Sequence, residues 1–258
     1  MITAVSNQRV KNLVNLIQKS KARREQDVFI TEGVKMFLEA DKDRIKEVYV
    51  SESFYEKGMA REKLEQCNYE ILSDEVFKKV SDTQTPQGVL CVMKQYHYAL
   101  KDLLQKENPL LLLLEDIQDP GNLGTMVRTA EGAGVHGVIM TKGTVDIYNP
   151  KTIRSTMGSV YRMPFFYTED LLEIMKQVQE AKVSLYAAHL KGDKFYHQLD
   201  FKGPTAFLIG NEGNGLKDET AEAADVYMKI PMEGKVESLN AAVASVILMY
   251  EAARQRMS

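Results

Sequence analysis

Residues 207–251 read FLIGNEGNGLKDETAEAADVYMKIPMEGKVESLNAAVASVILMYE, and this stretch decides the fold. Two apolar, strand-like runs, 206–209 and 226–230, each stop abruptly at small or turn-forming residues, and a long helix is expected over 238–256. In an open α/β sheet, ligands collect at the loops leaving the carboxyl ends of the strands. Both loops here carry glycine, so backbone N–H and C=O groups can approach a ligand closely. The closing helix is apolar over most of its circumference through Met249, which requires burial by the sheet, by a partner subunit, or by both.

Upstream the same alternation continues. Strands are expected at 110–115, 137–140, 164–167 and 184–188, with helices at 122–133, 150–159 and 170–182. Strands separated by helices of this length imply a mostly parallel sheet covered on both faces. A second, smaller α/β alternation precedes it. There the expected helices are 7–20, 33–40, 59–66 and 74–80, and the strands 28–31, 45–50, 69–72 and 89–93, with a basic turn before the first strand. The polar, lysine-rich piece around 94–108 has no strand pattern. Domains are therefore expected at 1–95 and 109–258, joined by a linker at 96–108. No internal repeat or low-complexity tract interrupts them.

Composition excludes several classes. A chain of 258 residues with 44% hydrophobic and 27% charged residues is ordinary for a globular protein, and no run approaches the roughly 18 apolar residues of a membrane span. The N-terminus lacks the apolar core of a signal peptide, so a cytoplasmic location is expected. Cys67 and Cys91 stand in unrelated contexts, which fits a reducing compartment without disulfides. His97, His136, His189 and His197 show no metal-ligand spacing, and no metal is expected. A net charge of −3 argues against a surface that clings to nucleic acid everywhere. Locally, however, Arg9, Lys11, Lys19, Lys21, Arg23 and Arg24 occur with no acid among residues 1–24, a patch able to meet phosphates or simply a solvated helix face.

Three segments are candidates for chemistry. The first, DPGNLGTMVRTAEGAG at 119–134, lies between a strand and a helix; Pro120 and Gly121 form a turn, Asn122 can cap the helix, and Arg128 falls near its second turn. Its spacing is neither G-x-G-x-x-G nor that of a phosphate-binding loop, so generic nucleotide folds lose ground. The second, IGNEGNGL at 209–216, sets Glu212 among backbone N–H groups of a glycine loop, which could serve as a turn or as a ligand loop. In the third, IPMEGKVESLN at 230–240, Ser238 is placed to cap the closing helix and Asn240 falls in its first turn.

Together, Asn122 with Arg128, GNEGNGL, and IPMEGKVESLNAAVA resemble, in order and spacing, motifs one, two and three of the SpoU (TrmH-like) branch of the SPOUT methyltransferases. The opening SNQRVKNLVNLIQKSKARREQDVFITEG and TPQGVL at 85–90 resemble the substrate-binding domain that precedes the catalytic domain in SpoU ribosomal-RNA methyltransferases, and NPKTIRSTMGSVYRMP at 149–164 is similar to the family's middle segment. The resemblance covers nearly the whole chain. It implies S-adenosylmethionine-dependent methylation of a ribose 2′-hydroxyl in RNA, a trefoil knot in the catalytic domain, and action as a homodimer. It also implies cofactor contacts from Gly210, Ile230 and Leu239. Its catalytic set would be Arg128, Asn122, Glu212, Ser238 and Asn240, and the basic residues 9–24 would hold RNA.

Ribosomal RNA is the expected substrate, because the N-terminal region resembles that branch; transfer RNA is the alternative. A noncatalytic RNA-binding or ribosome-assembly protein is the reading from another class, and the presence of all five catalytic-set residues speaks against it. A ribose hydroxyl is a poor nucleophile, so transfer requires proton removal, oxyanion stabilisation and alignment. The resemblance assigns hydroxyl activation to Arg128, as a base or as an electrostatic clamp. The permanent charge of guanidinium favours the clamp.

Overall fold

The computed structural model describes residues 1–257, which form two compact units, each with its own sheet. The first comprises Met1–Tyr96 with Asp146–Tyr161; the second comprises His97–Val145 with the chain from Arg162 onward.

In chain order the first unit runs α1 (Gln8–Gln18), α2 (Ser20–Gln26), β1 (Val28–Glu32), α3 (Val34–Glu39), β2 (Ile45–Ser51), α4 (Glu52–Glu56), α5 (Arg61–Leu64), β3 (Tyr69–Leu72), α6 (Asp74–Val80) and β4 (Val89–Lys94). Its sheet has the order β1-β4-β2-β3, with β4 antiparallel to both neighbours and β2 parallel to β3. The Asn7 side chain caps α1 by accepting from Arg9 N. That helix then buries Val10, Leu13 and Leu16, at helical spacing, against Val76, Phe77 and Val80 of α6 and the inward residues of β1, β2 and β4. The basic stretch expected as a turn is the helix α2, with Ala22 and Arg23 buried.

Beyond β4 come α7 (Leu100–Leu104), β5 (Leu110–Leu114), α8 (Pro120–Gly132), β6 (Gly137–Thr141), α9 (Pro150–Thr156), β7 (Phe165–Thr168), α10 (Leu171–Glu180), β8 (Ser184–Ala188), β9 (Lys194–Phe195), β10 (Thr205–Ile209), α11 (Asp218–Glu222), β11 (Val226–Lys229) and α12 (Ala241–Arg256). The second unit's sheet, ordered β7-β6-β5-β10-β8-β11-β9, is parallel throughout. Alternate residues of a strand face opposite sides. Leu111 and Leu113 accordingly join a core with α7 and α10, while α8 and α12 pack over β6 and β10. Both faces being covered explains why β5 is an unbroken run of leucine.

Two stretches differ from the sequence expectation. The piece 96–108, expected as a linker, carries α7, whose Leu103 is 1% exposed and lies over Gly137, where a Cβ would come within 2.6 Å of it. Burying one such leucine contributes about 1.5–3 kcal/mol. The segment Asp146–Tyr161, read as part of a continuous domain at 109–258, belongs to the first unit. Its anchors lie there: Tyr148 stacks on Phe29 with ring centroids 4.5 Å apart, Tyr161 Oη donates to Met36 O at 3.0 Å, and Asp146 accepts from buried Arg23.

Candidate active site

The parallel strands β5, β10, β8 and β11 lie side by side and end at the same edge of the sheet. Pairing of β8 stops at Leu208↔Ala187 on one side and Met228↔Ala188 on the other, with a last bond from His189 N to Met228 O at 2.9 Å before the chain turns away. The loops leaving β8, β10 and β11 line a cavity of about 250 Å³, walled by His189, Gly210, Ile230, Met232, Ser238 and Leu239, with Glu212 at its lining as well. This is near the lower bound, about 300 Å³, of ordinary small-ligand pockets. The walls combine apolar side chains with main chain beyond the strand ends, which suits a ligand with a flat apolar body and polar edges. Gly210, Ile230 and Leu239, expected at a cofactor, therefore share one cavity.

Gly210 tolerates no side chain. A Cβ there would lie 2.1 Å from Gly215 C and Leu216 N, because the loop doubles back on itself. Asn211 shapes that return: its Oδ1 accepts from the amides of Gly213 (2.9 Å) and Asn214 (3.1 Å), and its carbonyl accepts from Gly215 N at 2.9 Å. Gly215 sits at φ +72°, a left-handed conformation that glycine adopts without steric cost.

Beside the cavity, a polar chain joins three elements. Asn240 caps α12, its Oδ1 accepting from Ala242 N (2.9 Å) and Val243 N (3.3 Å). Asn240 Nδ2 donates to Asn122 Oδ1 at 3.2 Å, and Asn122 Nδ2 donates to Glu212 Oε1 at 3.0 Å. The carboxylate of Glu212 also accepts from Gln118 N and Asp119 N, both at 3.0 Å. Burial alone would raise the Glu212 pKa, but the Asn122 amide and the two backbone donors outweigh it and hold the carboxyl below its usual range. The amino end of α8 thus meets this carboxylate, as its dipole favours, and the cap of α12 is linked to it through Asn122.

Both caps differ from expectation. Helix α12 begins at Ala241 with Asn240 as its cap, so Ser238 is a loop residue of the cavity wall. Helix α8 is capped by Asp119, whose Oδ1 accepts from Asn122 N at 2.8 Å, which leaves the Asn122 side chain for Glu212 and Asn240.

Arg128 lies six residues beyond Asn122 on α8, a rise of about 9 Å. It is exposed and makes no hydrogen bond or ion pair among the described residues. Of the amino-terminal cations, Lys11, Lys19 and Arg24 are exposed, and Lys21 is exposed with Glu25 at 3.7 Å. Arg9 pairs with Glu70 and Glu47. Arg23 is a correction. At 3% exposure it bonds Asp146 Oδ2 at 2.7 Å and the carbonyls of Leu16 (2.8 Å) and Ile17 (3.1 Å), so it is a buried internal tie and not part of an exposed basic patch. No cluster of His, Cys, Asp and Glu able to hold a metal occurs among the described residues.

The chain matches known proteins along its length. The model of the SpoU rRNA Methylase family matches residues 109–250, and that of the MRM3-like substrate binding domain matches residues 7–91. The chain is 34% identical over 256 residues to the 23S rRNA (guanosine(2553)-2′-O)-methyltransferase RlmP of Bacillus subtilis, spanning 96% of this chain and 97% of that protein. Among solved structures, an AdoMet-bound rRNA methyltransferase from Sinorhizobium meliloti superposes with a TM-score of 0.86 at 33% identity, covering 100% of this chain and 98% of the other. The SpoU methyltransferase AviRb from Streptomyces viridochromogenes, in complex with the cofactor AdoMet, superposes with a TM-score of 0.89 at 28% identity, covering 98% and 99%.

Proposed function

The chain belongs to the SpoU rRNA methylase family, and from that premise we propose that it transfers the methyl group of S-adenosylmethionine to a ribose 2′-hydroxyl of ribosomal RNA. The observation that carries this reading is the conjunction at one sheet edge of a glycine-looped cavity with the Asn240–Asn122–Glu212 chain beside it.

Gly210, Ile230 and Leu239 would hold the cofactor, largely through main-chain groups around the cavity. When bound, S-adenosylmethionine supplies an activated methyl that carries its own leaving group, so the reaction calls for no metal. The protein has to orient the ribose and stabilise the oxygen as its proton leaves. Arg128 serves as the electrostatic clamp on that oxygen and the adjacent phosphate, since guanidinium remains protonated and presents a planar fork to phosphate. Its side chain has no competing partner among the described residues. Glu212 and Asn122 are positioning residues that fix the start of α8 and hence Arg128, while Ser238 lines the cavity beside the methyl donor and Asn240, by capping α12, would shape it from behind.

In the first unit, Lys11, Lys19, Lys21 and Arg24, with Arg9 among its acids, would hold the RNA backbone. The protein would act in the cytoplasm as a homodimer whose second unit carries the family's trefoil knot; among the described residues no helix is long and apolar enough to cross a membrane. Replacing Arg128 tests the assignment. Arg128→Ala is expected to lower methyl transfer by about 100-fold or more while S-adenosylmethionine binding, measured by calorimetry, stays within about twofold. Equal loss of both, or transfer at the wild-type rate, would contradict it.

A further inference from the structure

The return of the glycine loop at 210–215 is held from the end of β5 by groups that the proposed reaction does not use. Glu115, whose side chain is 3% exposed, accepts from Lys217 N at 2.8 Å and from Thr220 Oγ1 at 2.6 Å, and the Lys217 ammonium stands 3.7 Å from it. The next residue, Asp116, places its Oδ2 3.1 Å from Lys217 Nζ and accepts from Thr141 Oγ1 at 2.8 Å. Its main-chain carbonyl accepts from Asn211 Nδ2 at 2.8 Å. Both ends of the loop, Asn211 and Lys217, are thus tied to two consecutive residues of one strand end.

The arrangement is costly enough to call for a reason. A buried carboxylate is unfavourable unless it is paired and hydrogen-bonded. Asp116 is also held at φ +54°, a left-handed conformation uncommon outside glycine, with its carboxylate packed so closely that a Cβ on Gly143 would lie 2.1 Å from Oδ1. Burial would raise the Asp116 pKa, yet the Thr141 hydroxyl and the Lys217 ammonium keep it below the usual carboxylate range. Strain and desolvation of this kind persist where the surroundings over-determine the geometry.

We propose that Glu115, Asp116 and Lys217 form a latch that sets the shape of the glycine loop at 210–215, with Lys217 as a positioning residue for binding of the methyl donor. The proposal rests on the reading of the adjoining cavity as the cofactor site. Because β5 also leads into α8, the same latch references the cofactor loop to the helix that carries Arg128.

The test compares wild type with Lys217→Met, Asp116→Asn and Lys217→Arg. Asparagine tolerates the left-handed region, so Asp116→Asn removes the charge while leaving the backbone in place. In ligand-free protein, hydrogen exchange of the amides at 213–217 is expected to speed up about tenfold in Lys217→Met and Asp116→Asn. It should return toward wild type in Lys217→Arg, with the amides of β5 unchanged in all. Affinity for S-adenosylmethionine should fall about fivefold in the first two variants and recover in the third, as suits a partly exposed ion pair. Loop exchange within about twofold of wild type in both charge-removing variants, or a Lys217→Arg protein as impaired as Lys217→Met, would overturn the latch. Wild type that bound no S-adenosylmethionine would overturn the cofactor reading instead, and the exchange data would still judge the latch.

Discussion

Glu212 shows how one carboxylate can tie together distant segments of the chain. It accepts from two consecutive amides, Gln118 and Asp119, and from Asn122, and each donor favours its charged form. Since its folded-state pKa lies below the unfolded value, the unfolded chain takes up the proton first on acidification. The stabilisation is therefore complete above the ordinary carboxylate range and is lost as pH falls through the depressed folded-state value. Glu212→Gln should cost about 1 kcal/mol at neutral pH, a small figure because the side chain is exposed and screened. The variant should show a flatter loss of stability below about pH 4.5. Urea denaturation at neutral and acid pH reads both effects. Activity should fall further than stability, because Asn122 loses the acceptor that orients its amide toward Asn240. Arg23 carries the opposite lesson at this scale. In the sequence it is one cation among several, yet its partner Asp146 stands 123 residues away, and no local pattern announces the burial.

The elements most legible in the sequence were those whose signal is repeated: the parallel strands, with their unbroken apolar runs, and the glycine loops that end β10 and β11. Less legible were elements too short to show a period. Helix α7 has five residues and declares itself only through Leu100 and Leu103 packed into the core, while β9 has two residues and no periodicity at all. Capping residues were ambiguous for a different reason. Asp119 and Asn122, like Ser238 and Asn240, are all good caps by residue type, so the sequence leaves open which one accepts the first amides of the helix. Asn211, Glu115, Asp116 and Lys217 are silent in the sequence, since single polar residues after a strand have no spacing to betray them; the asparagine among glycines at 211 is the one available sign. The loop at 210–215 gives the sharpest element-level prediction. Gly210→Ala forces a methyl into the returning chain and should cost at least about 1–3 kcal/mol through local strain. It should weaken S-adenosylmethionine binding at least about tenfold by calorimetry while the far-ultraviolet circular dichroism of the sheet is retained.

At the scale of the whole molecule, α12 packs against α8 and β10 yet leaves Val243 48% and Tyr250 51% exposed, with Val246 and Ile247 half-buried between them. Positions i, i+3, i+4 and i+7 form one continuous apolar stripe, the pattern of a helix that meets a second surface. A homodimer closed through this stripe is the assembly we propose. Val243→Asp with Tyr250→Asp, each costing on the order of 2 kcal/mol at a central contact, should shift sedimentation to the 29.2 kDa monomer. A wild-type protein already sedimenting as a monomer would remove the stripe from the account. The central claim concerns the reaction itself, and one measurement addresses it most directly: incubation of the purified protein with methyl-tritiated S-adenosylmethionine and separated ribosomal and transfer RNA, followed by mapping of the labelled nucleotide. The account predicts label in ribosomal RNA, on a ribose 2′-oxygen. Label confined to transfer RNA, label on a base, or no label in any RNA would contradict it.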